Sequence, residues 1–172
     1  MKLYRFSPIK NKDQLFEAIK YTHFASFKLC QKALGKYLPV AGNIGIFCHY
    51  QEEFKFLTKL GKELTDSNFS FNGKYFRLHE PLVITAKDDI PETTYEYLYI
   101  RRPDKFRAQV GDLDFVVDKN EYTKILEAKK VMGNVEISDR PDLGMCEFSH
   151  PDFDVLVYLT TKTVAQAMSL SL

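Results

Sequence analysis

The spacing of apolar residues near the N-terminus predicts one long amphipathic helix. Between Asp13 and Gly35 the larger apolar side chains, such as Phe16, Ile19 and Phe27, recur at the interval that places them on one helical face. Asp13 is a candidate N-cap, because its side chain can accept a hydrogen bond from the first turn. Gly35 is a natural C-cap, because glycine adopts the left-handed conformation that ends a helix.

Two later segments repeat one pattern at an offset of 69 residues, with 42–49 aligning without a gap to 111–118. In each copy a glycine precedes an amide or a carboxylate, a short apolar strand follows, and an acidic amphipathic helix comes next. The predicted helices are 51–64 and 120–132. Short strands follow each helix, at 74–78, 82–85 and 94–100 in the first copy and at 134–138, 144–148 and 154–160 in the second.

The predicted fold class is therefore α+β, with two tandem β-α-β-β-β modules and a long N-terminal amphipathic helix in front of them. The N-terminal helical extension covers 1–39, the first module 40–108 and the second module 109–172. We expect the three parts to form one compact domain, since 172 residues with 45% hydrophobic content suffice for a single core.

Composition excludes several classes of partner. The formal net charge is +1, and a nucleic-acid or membrane-surface protein normally carries a larger imbalance. Three widely spaced cysteines indicate neither a disulfide framework nor a metal clamp, so we expect a cytoplasmic protein. Residues 1–40 hold eight Lys or Arg against two Asp or Glu, and an adaptor that docks through this basic helix stays one alternative function.

Three short motifs resemble the vicinal oxygen chelate superfamily, which includes glyoxalases, bleomycin-resistance proteins and dioxygenases. They are the segments 42–46, 110–115 and 149–154, and two tandem β-α-β-β-β modules are the plan of that superfamily. Residues 72–82 followed by Tyr99-Ile100-Arg101-Arg102-Pro103 resemble a small bacterial branch, the YecM-like proteins. The resemblance covers residues 40–160 and implies a curved mixed sheet that forms a cup.

The same resemblance implies a divalent metal inside the cup, bound by the first and last strands of each module. The corresponding positions here are Asn43, Asp112, Tyr99 and Val157, where the family pattern would show His or Glu. Valine cannot bind a metal, and Asn and Tyr are uncommon ligands. We therefore expect a protein that binds a small polar or anionic molecule without a standard metal site and without a cofactor.

A metal-dependent lyase, isomerase or dioxygenase with a rebuilt site is the alternative. Its divalent metal would need ligands from different parts of the fold, because the histidines form no local metal-binding pair. The candidate ligands are Asp112, His49, His79, Glu147 and His150. Against this, we expect His150 to be a turn or capping residue and His23 to be a core or interface residue.

Asp112 and Asp114 are the candidates of greatest interest, because alternate strand residues share a face and two carboxylates there can bind a cation or share a proton. The alternative is that Asp112 caps a turn and Asp114 pairs with an arginine. Arg101, Arg102 and Arg107 are candidate ligands for a carboxylate or phosphate, with surface ion pairs as the alternative.

Tyrosines at alternate positions form a second candidate group. Tyr95, Tyr97 and Tyr99 are expected on one strand face, and Tyr97 and Tyr99 are candidate ligand contacts. Core packing is the alternative for all three. Exposed edges of an open sheet also make a homodimer an expected partner.

Overall fold

The computed structural model describes residues 4–71, 75–104, 106–128 and 134–169. Four helices and eight strands occupy these ranges. In chain order they are α1 (Lys12–Leu34), β1 (Val40–Phe47), α2 (Gln51–Glu63), β2 (Thr65–Phe71), β3 (Tyr75–Ile84), β4 (Thr93–Arg101), β5 (Gly111–Val116), α3 (Lys119–Ala128), β6 (Glu136–Arg140), β7 (Met145–Ser149), β8 (Val155–Thr160) and α4 (Val164–Ser169).

All eight strands belong to one mixed sheet with the order β2-β3-β4-β1-β5-β8-β7-β6. Two neighbouring pairs are parallel, β1 with β4 and β5 with β8. The remaining pairs, including β1 with β5 at the centre, are antiparallel. In the central pair Ile44 lies opposite Leu113, the residue that the repeat in the sequence aligns with it at an offset of 69.

The long helix α1 covers one face of the sheet, where it packs on β1, β5 and β8. The rings of Phe27 and Phe115 meet edge to face with centroids 5.0 Å apart. The predicted end of the helix is confirmed, because Gly35 has a φ of 71° and its N–H donates to the Gln31 carbonyl. The predicted N-cap is wrong: Asn11, not Asp13, accepts the hydrogen bond from the Gln14 N–H.

Buried side chains from α2 and α3 complete the core on this same side of the sheet. Leu57 of α2 and Ile125 of α3 belong to one apolar cluster with Leu113 and Phe115. His23 is also fully buried here and shares a hydrogen bond of 2.7 Å with the Tyr95 hydroxyl, as expected for a core histidine. Burial lowers the pKa of His23 to about 4, so the imidazole is neutral.

Strand boundaries in the first half differ from the prediction. Residues 75–78 and 82–84, predicted as parts of two strands, belong to one strand, β3, whose pairing with β4 shifts register between Arg77 and Leu82. This irregularity interrupts the alternation by which a single strand is identified. Strand β2 was not predicted, because Thr65–Phe71 contains five polar residues among seven. Residue 74 of the predicted strand 74–78 and residues 129–132 of the predicted helix 120–132 lie outside the described residues.

The described helices include none that is long and apolar enough to cross a bilayer. Cys30, Cys48 and Cys146 are buried free thiols. Burial raises the pKa of Cys30 to about 12 and that of Cys146 to about 11, so both are poor nucleophiles.

Candidate functional site

A cavity of about 1080 Å³ lies on the face of the sheet opposite α1. Its floor belongs to the central strand β5, where Asp112 and Asp114 face the cavity while Leu113 and Phe115 pack beneath α1. Strands β3, β4 and β8, the segment after β4, the turn before β7 and the short helix α4 form its walls. Ligand pockets in proteins commonly have volumes of this order.

Asp112 and Asp114 place two carboxyl groups at the floor of the cavity. Each is only 5% exposed. Asn43 of β1 donates a hydrogen bond of 3.0 Å from Nδ2 to Asp114 Oδ2. Within the described part of the chain, neither Asp112 Oδ1 nor Asn43 Oδ1 has a hydrogen-bond partner. The described residues therefore leave two buried oxygen atoms unsatisfied, and the Asp112 side chain that carries one of them lines the cavity.

Gly45 creates the space that the Asp112 carboxyl occupies. The two residues are directly opposite each other in the β1–β5 pair. A Cβ atom at position 45 would lie 1.7 Å from Asp112 Oδ1, a distance that no side chain tolerates. The absence of a side chain at Gly45 is thus a condition for the present geometry of the floor.

Burial sets the protonation of the two carboxyls. It raises the pKa of Asp112 well above the usual range, the charge of Asp114 adds to the effect, and Arg101 opposes it. Burial also raises the pKa of Asp114 to about 6, against the hydrogen bond from Asn43, which lowers it. Both increases favour the protonated form of these carboxyls, and the two groups titrate as a coupled pair.

Tyrosine side chains form the walls next to the floor. Tyr99 lies opposite Gly45, and Tyr158 lies opposite Asp114. The Tyr75 and Tyr99 rings are 4.8 Å apart between centroids. Burial raises the pKa of Tyr99 to about 12, so its hydroxyl stays neutral. These rings give the inner cavity an aromatic lining.

Basic side chains lie around the outer part of the cavity. Arg101 contacts Asp104 at 3.3 Å, and its guanidinium lies 4.7 Å from the centroid of the Phe47 ring. Arg102, Arg140 and Lys162 also line the cavity. An arginine fork there suits a carboxylate or phosphate group.

Glu147 and Arg107 form an ion pair with each other beside the cavity, and neither residue lines it. Arg107 donates two hydrogen bonds to the Glu147 carboxylate, at 2.7 and 3.0 Å, and Tyr158 donates a third at 2.6 Å. Burial raises the pKa of Glu147, but the hydrogen bonds and the charges of Arg107 and Arg140 outweigh it and hold the pKa below its usual value. This network fixes the Tyr158 ring in the cavity wall.

The structure brings together most of the residues predicted as ligand contacts. Asp112, Asp114, Tyr99, Arg101 and Arg102 line the cavity, and Asn43 contacts Asp114. Arg107 and the buried Tyr97 are not among the lining residues. The expectation that Tyr95 shares a face with Tyr99 is wrong. The Tyr95 hydroxyl is hydrogen-bonded to His23 of α1, on the side of the sheet opposite the cavity.

The five candidate ligands of the alternative metal site do not form one cluster among the described residues. His49 shares a hydrogen bond with Ser7, His79 is exposed on β3, and His150 accepts the Asp152 N–H within a turn, as predicted. Glu147 is held by arginines. The described residues contain no group of three or more His, Cys, Asp or Glu side chains that could hold a metal ion.

The metal positions implied by the family resemblance do not fit a metal either. Val157 belongs to the core beneath the helices, and its neighbour Tyr158 faces the cavity instead. The Asn43 amide is engaged with Asp114, which leaves Asp112 as the one carboxylate among the four positions.

Sequence reasoning missed Tyr158, Tyr75 and the helix α4. The sequence held a signal for Tyr158, because it is the one residue with a polar side-chain group in the run Val155–Leu159. Adjacent strand residues point to opposite faces of a sheet, so Tyr158 faces away from the side that Val157 faces. Nothing in the short segment Val164–Ser169 indicated that Ala167 and Met168 would line a cavity.

Comparison with known proteins supports the fold alone. No protein-family model matches the chain, and no curated protein matches it. A solved structure named Structural Genomics, Protein EC4020 is similar over 100% of this chain and 99% of its own, with a TM-score of 0.65 and 14% sequence identity.

Proposed function

We propose that this protein binds a small polar molecule in the cavity above β1 and β5. The observation that carries the proposal is the buried polar floor of a cavity of about 1080 Å³, where Asp112 leaves one oxygen atom without a hydrogen-bond partner among the described residues. Buried polar atoms are ordinarily satisfied by the fold, and exceptions are found where a ligand completes them.

We further propose that the chain is built from two tandem β-α-β-β-β modules, as in the vicinal oxygen chelate superfamily. Each half of the sheet has the same order of elements and one parallel pair, β1 with β4 or β5 with β8. The direct pairing of Ile44 with Leu113 supports a two-fold relation between the halves. The proposed site then lies where the modules meet, with Tyr99 and Tyr158 at corresponding positions.

An anionic group of the ligand is assigned to the outer cavity. Arg101, Arg102, Arg140 and Lys162 line this part, and Arg102 and Lys162 have no ion pair with any described residue. A carboxylate or phosphate placed here would meet positive charge without first having to displace a buried partner.

The adaptor alternative gains no support from α1. Its apolar side chains, among them Leu15, Ile19 and Phe27, are buried against the sheet. The helix is therefore part of the core, and its exposed lysines are an ordinary solvated face. The homodimer stays an expectation.

A thermal-shift screen with a matched pair of variants tests the proposed function. The screen uses anionic, zwitterionic and neutral polar metabolites at millimolar concentration, because a ligand that binds only the folded state raises Tm. Ala167→Trp places a large ring at the cavity, whereas Ala165→Trp changes an exposed residue on the same helix that does not line it. We expect compounds that raise Tm of the wild type and of Ala165→Trp but not of Ala167→Trp. Equal shifts in all three proteins, or none, would contradict a ligand site in this cavity.

A further inference from the structure

We infer that the floor of the cavity binds an organic ammonium group, so that the ligand is an amine or a zwitterion with its cationic end on Asp112 and Asp114. This inference rests on the proposed function and assigns the chemical class of its ligand.

The distribution of charge around the cavity points to a missing cation at the floor. Asp104 is paired with Arg101, and Glu147 is paired with Arg107. Asp112 and Asp114 are buried to 95% and have no ion pair with any residue that the structure describes. A buried carboxylate without a counter-charge is costly, whereas an exposed lysine or arginine at the rim is solvated at little cost.

With Asp112 ionised, the hydrogen-bonding groups at the floor are acceptors in need of donors. Asn43 uses Nδ2 on Asp114, and both its Oδ1 and Asp112 Oδ1 are buried without a hydrogen-bond partner among the described residues. An ammonium group has three N–H donors and no acceptor, so it complements these atoms and the ionised carboxylates together. A carboxylate or phosphate placed at the floor would instead meet the charge of Asp114.

The aromatic lining favours a cation as well. Tyr75, Tyr99 and Tyr158 line the cavity above the two carboxyls, and the Tyr75 and Tyr99 rings are 4.8 Å apart. Aromatic faces attract ammonium groups electrostatically, and the interaction strengthens when the site is desolvated. Tyrosine faces with carboxylates therefore hold a cation more tightly than a neutral hydroxyl of the same size.

Binding of an ammonium group should favour release of a proton from Asp112. The cation supplies the opposite charge that burial and Asp114 otherwise deny this carboxyl, and this favours its ionised form. Proton release on binding is thus a second signature, independent of affinity. The charged and titratable groups facing Asp112 are Asp114, Tyr75, Tyr99, Arg101, Arg107, Glu147 and Tyr158.

Calorimetric titration with isosteric pairs tests the inference. The probes are 4-aminobutanoate against 4-hydroxybutanoate and 1,4-diaminobutane against 1,4-butanediol, each measured in two buffers of different ionisation enthalpy at pH 7. We expect at least one amine to bind tenfold or more tightly than its alcohol and to release protons. Binding of neither amine, or equal affinity within each pair, would overturn the inference.

Variants separate this inference from the proposed function. Asp112→Asn and Asp114→Asn keep the size of each side chain and should each reduce amine affinity at least tenfold, with the alcohols unaffected. Asp118→Asn is the control, because Asp118 is exposed and caps α3 through an oxygen atom that asparagine also has. The proposed function stands and the ammonium assignment fails under three conditions together. Other molecules bind, Ala167→Trp abolishes their binding, and both floor variants leave amine affinity unchanged.

Discussion

The close approach of Gly45 and Asp112 allows no side chain at position 45 without a shift of the Asp112 carboxyl. Gly45→Ala would bring its Cβ to 1.7 Å from Asp112 Oδ1 and to 3.1 Å from a Tyr99 ring carbon. Because the floor is packed, we expect a loss of about 2 kcal/mol in the free energy of unfolding, measured by urea denaturation.

A second substitution shows whether the clash is with the carboxyl. Asp112→Ala removes the atoms that the new Cβ would meet, so the double variant should be at least as stable as Gly45→Ala alone. Additive losses from the two substitutions would contradict this account of Gly45.

Several residues of the site follow from strand alternation in the sequence. Asp112 and Asp114 are two positions apart, so their common face was predicted, and Tyr99 follows from the same rule. Tyr95 breaks the rule, since β4 lies beside a register shift in its pairing with β3. The ion pair of Arg107 could not be predicted, because its partner, Glu147, is distant in sequence and only the fold brings the two together.

At the scale of elements, the segment before α1 is attached to α2 through one buried carboxylate. Glu53 is 3% exposed and accepts hydrogen bonds from the Ser7 hydroxyl at 2.5 Å and from the backbone N–H groups of Ile9 and His49, both at 2.8 Å. A single side chain thus joins the N-terminal segment, the end of β1 and the start of α2.

Glu53→Ala should be one of the most destabilising substitutions on α2. It leaves buried N–H groups without an acceptor, for which we expect a loss of about 2 to 4 kcal/mol in the free energy of unfolding. Glu52→Ala, on the exposed neighbour that pairs only with Lys55 among its described contacts, should change the stability by less than about 0.5 kcal/mol. Similar urea midpoints for the two variants would show that Glu53 has no such role.

Whole elements were predictable where one physical pattern dominates. The helical spacing in α1 and its terminal Gly35 are strong local signals, and α1 forms almost as predicted. Strand β2 was not predictable from its polar composition, since its partner β3 supplies the hydrogen bonds that define it. The role of α4 depends on where the chain returns after β8, which no local pattern specifies.

For the whole molecule, two buried groups on opposite faces of the sheet give stability opposite dependences on pH. Burial raises the pKa of Asp114 to about 6, so between pH 4 and 6 this carboxyl holds more protons in the folded state than in the unfolded state. The contribution of Asp114 to stability therefore falls as pH rises over this range. Burial lowers the pKa of His23 to about 4, so the contribution of His23 to stability falls as pH drops from 6.5 to 4.

Substitution should separate these two contributions. Relative to the wild type, Asp114→Asn should gain about 2 to 3 kcal/mol in the free energy of unfolding as pH rises from 4 to 6.5. His23→Asn should gain a similar amount relative to the wild type as pH falls over the same range. Urea titrations at half-unit intervals provide the data, and parallel curves for the wild type and either variant would contradict the corresponding assignment.

The measurement that tests the central claim most directly is a ¹H–¹⁵N correlation titration of the full chain with a mixture of 4-aminobutanoate, 1,4-diaminobutane and ethanolamine phosphate. The account predicts saturable shifts at the amides of Gly45, Tyr99, Asp112 and Asp114, with the amides of α1 unchanged. Shifts confined to the helical face of the sheet, or no saturable shift at any residue of the cavity, would contradict it.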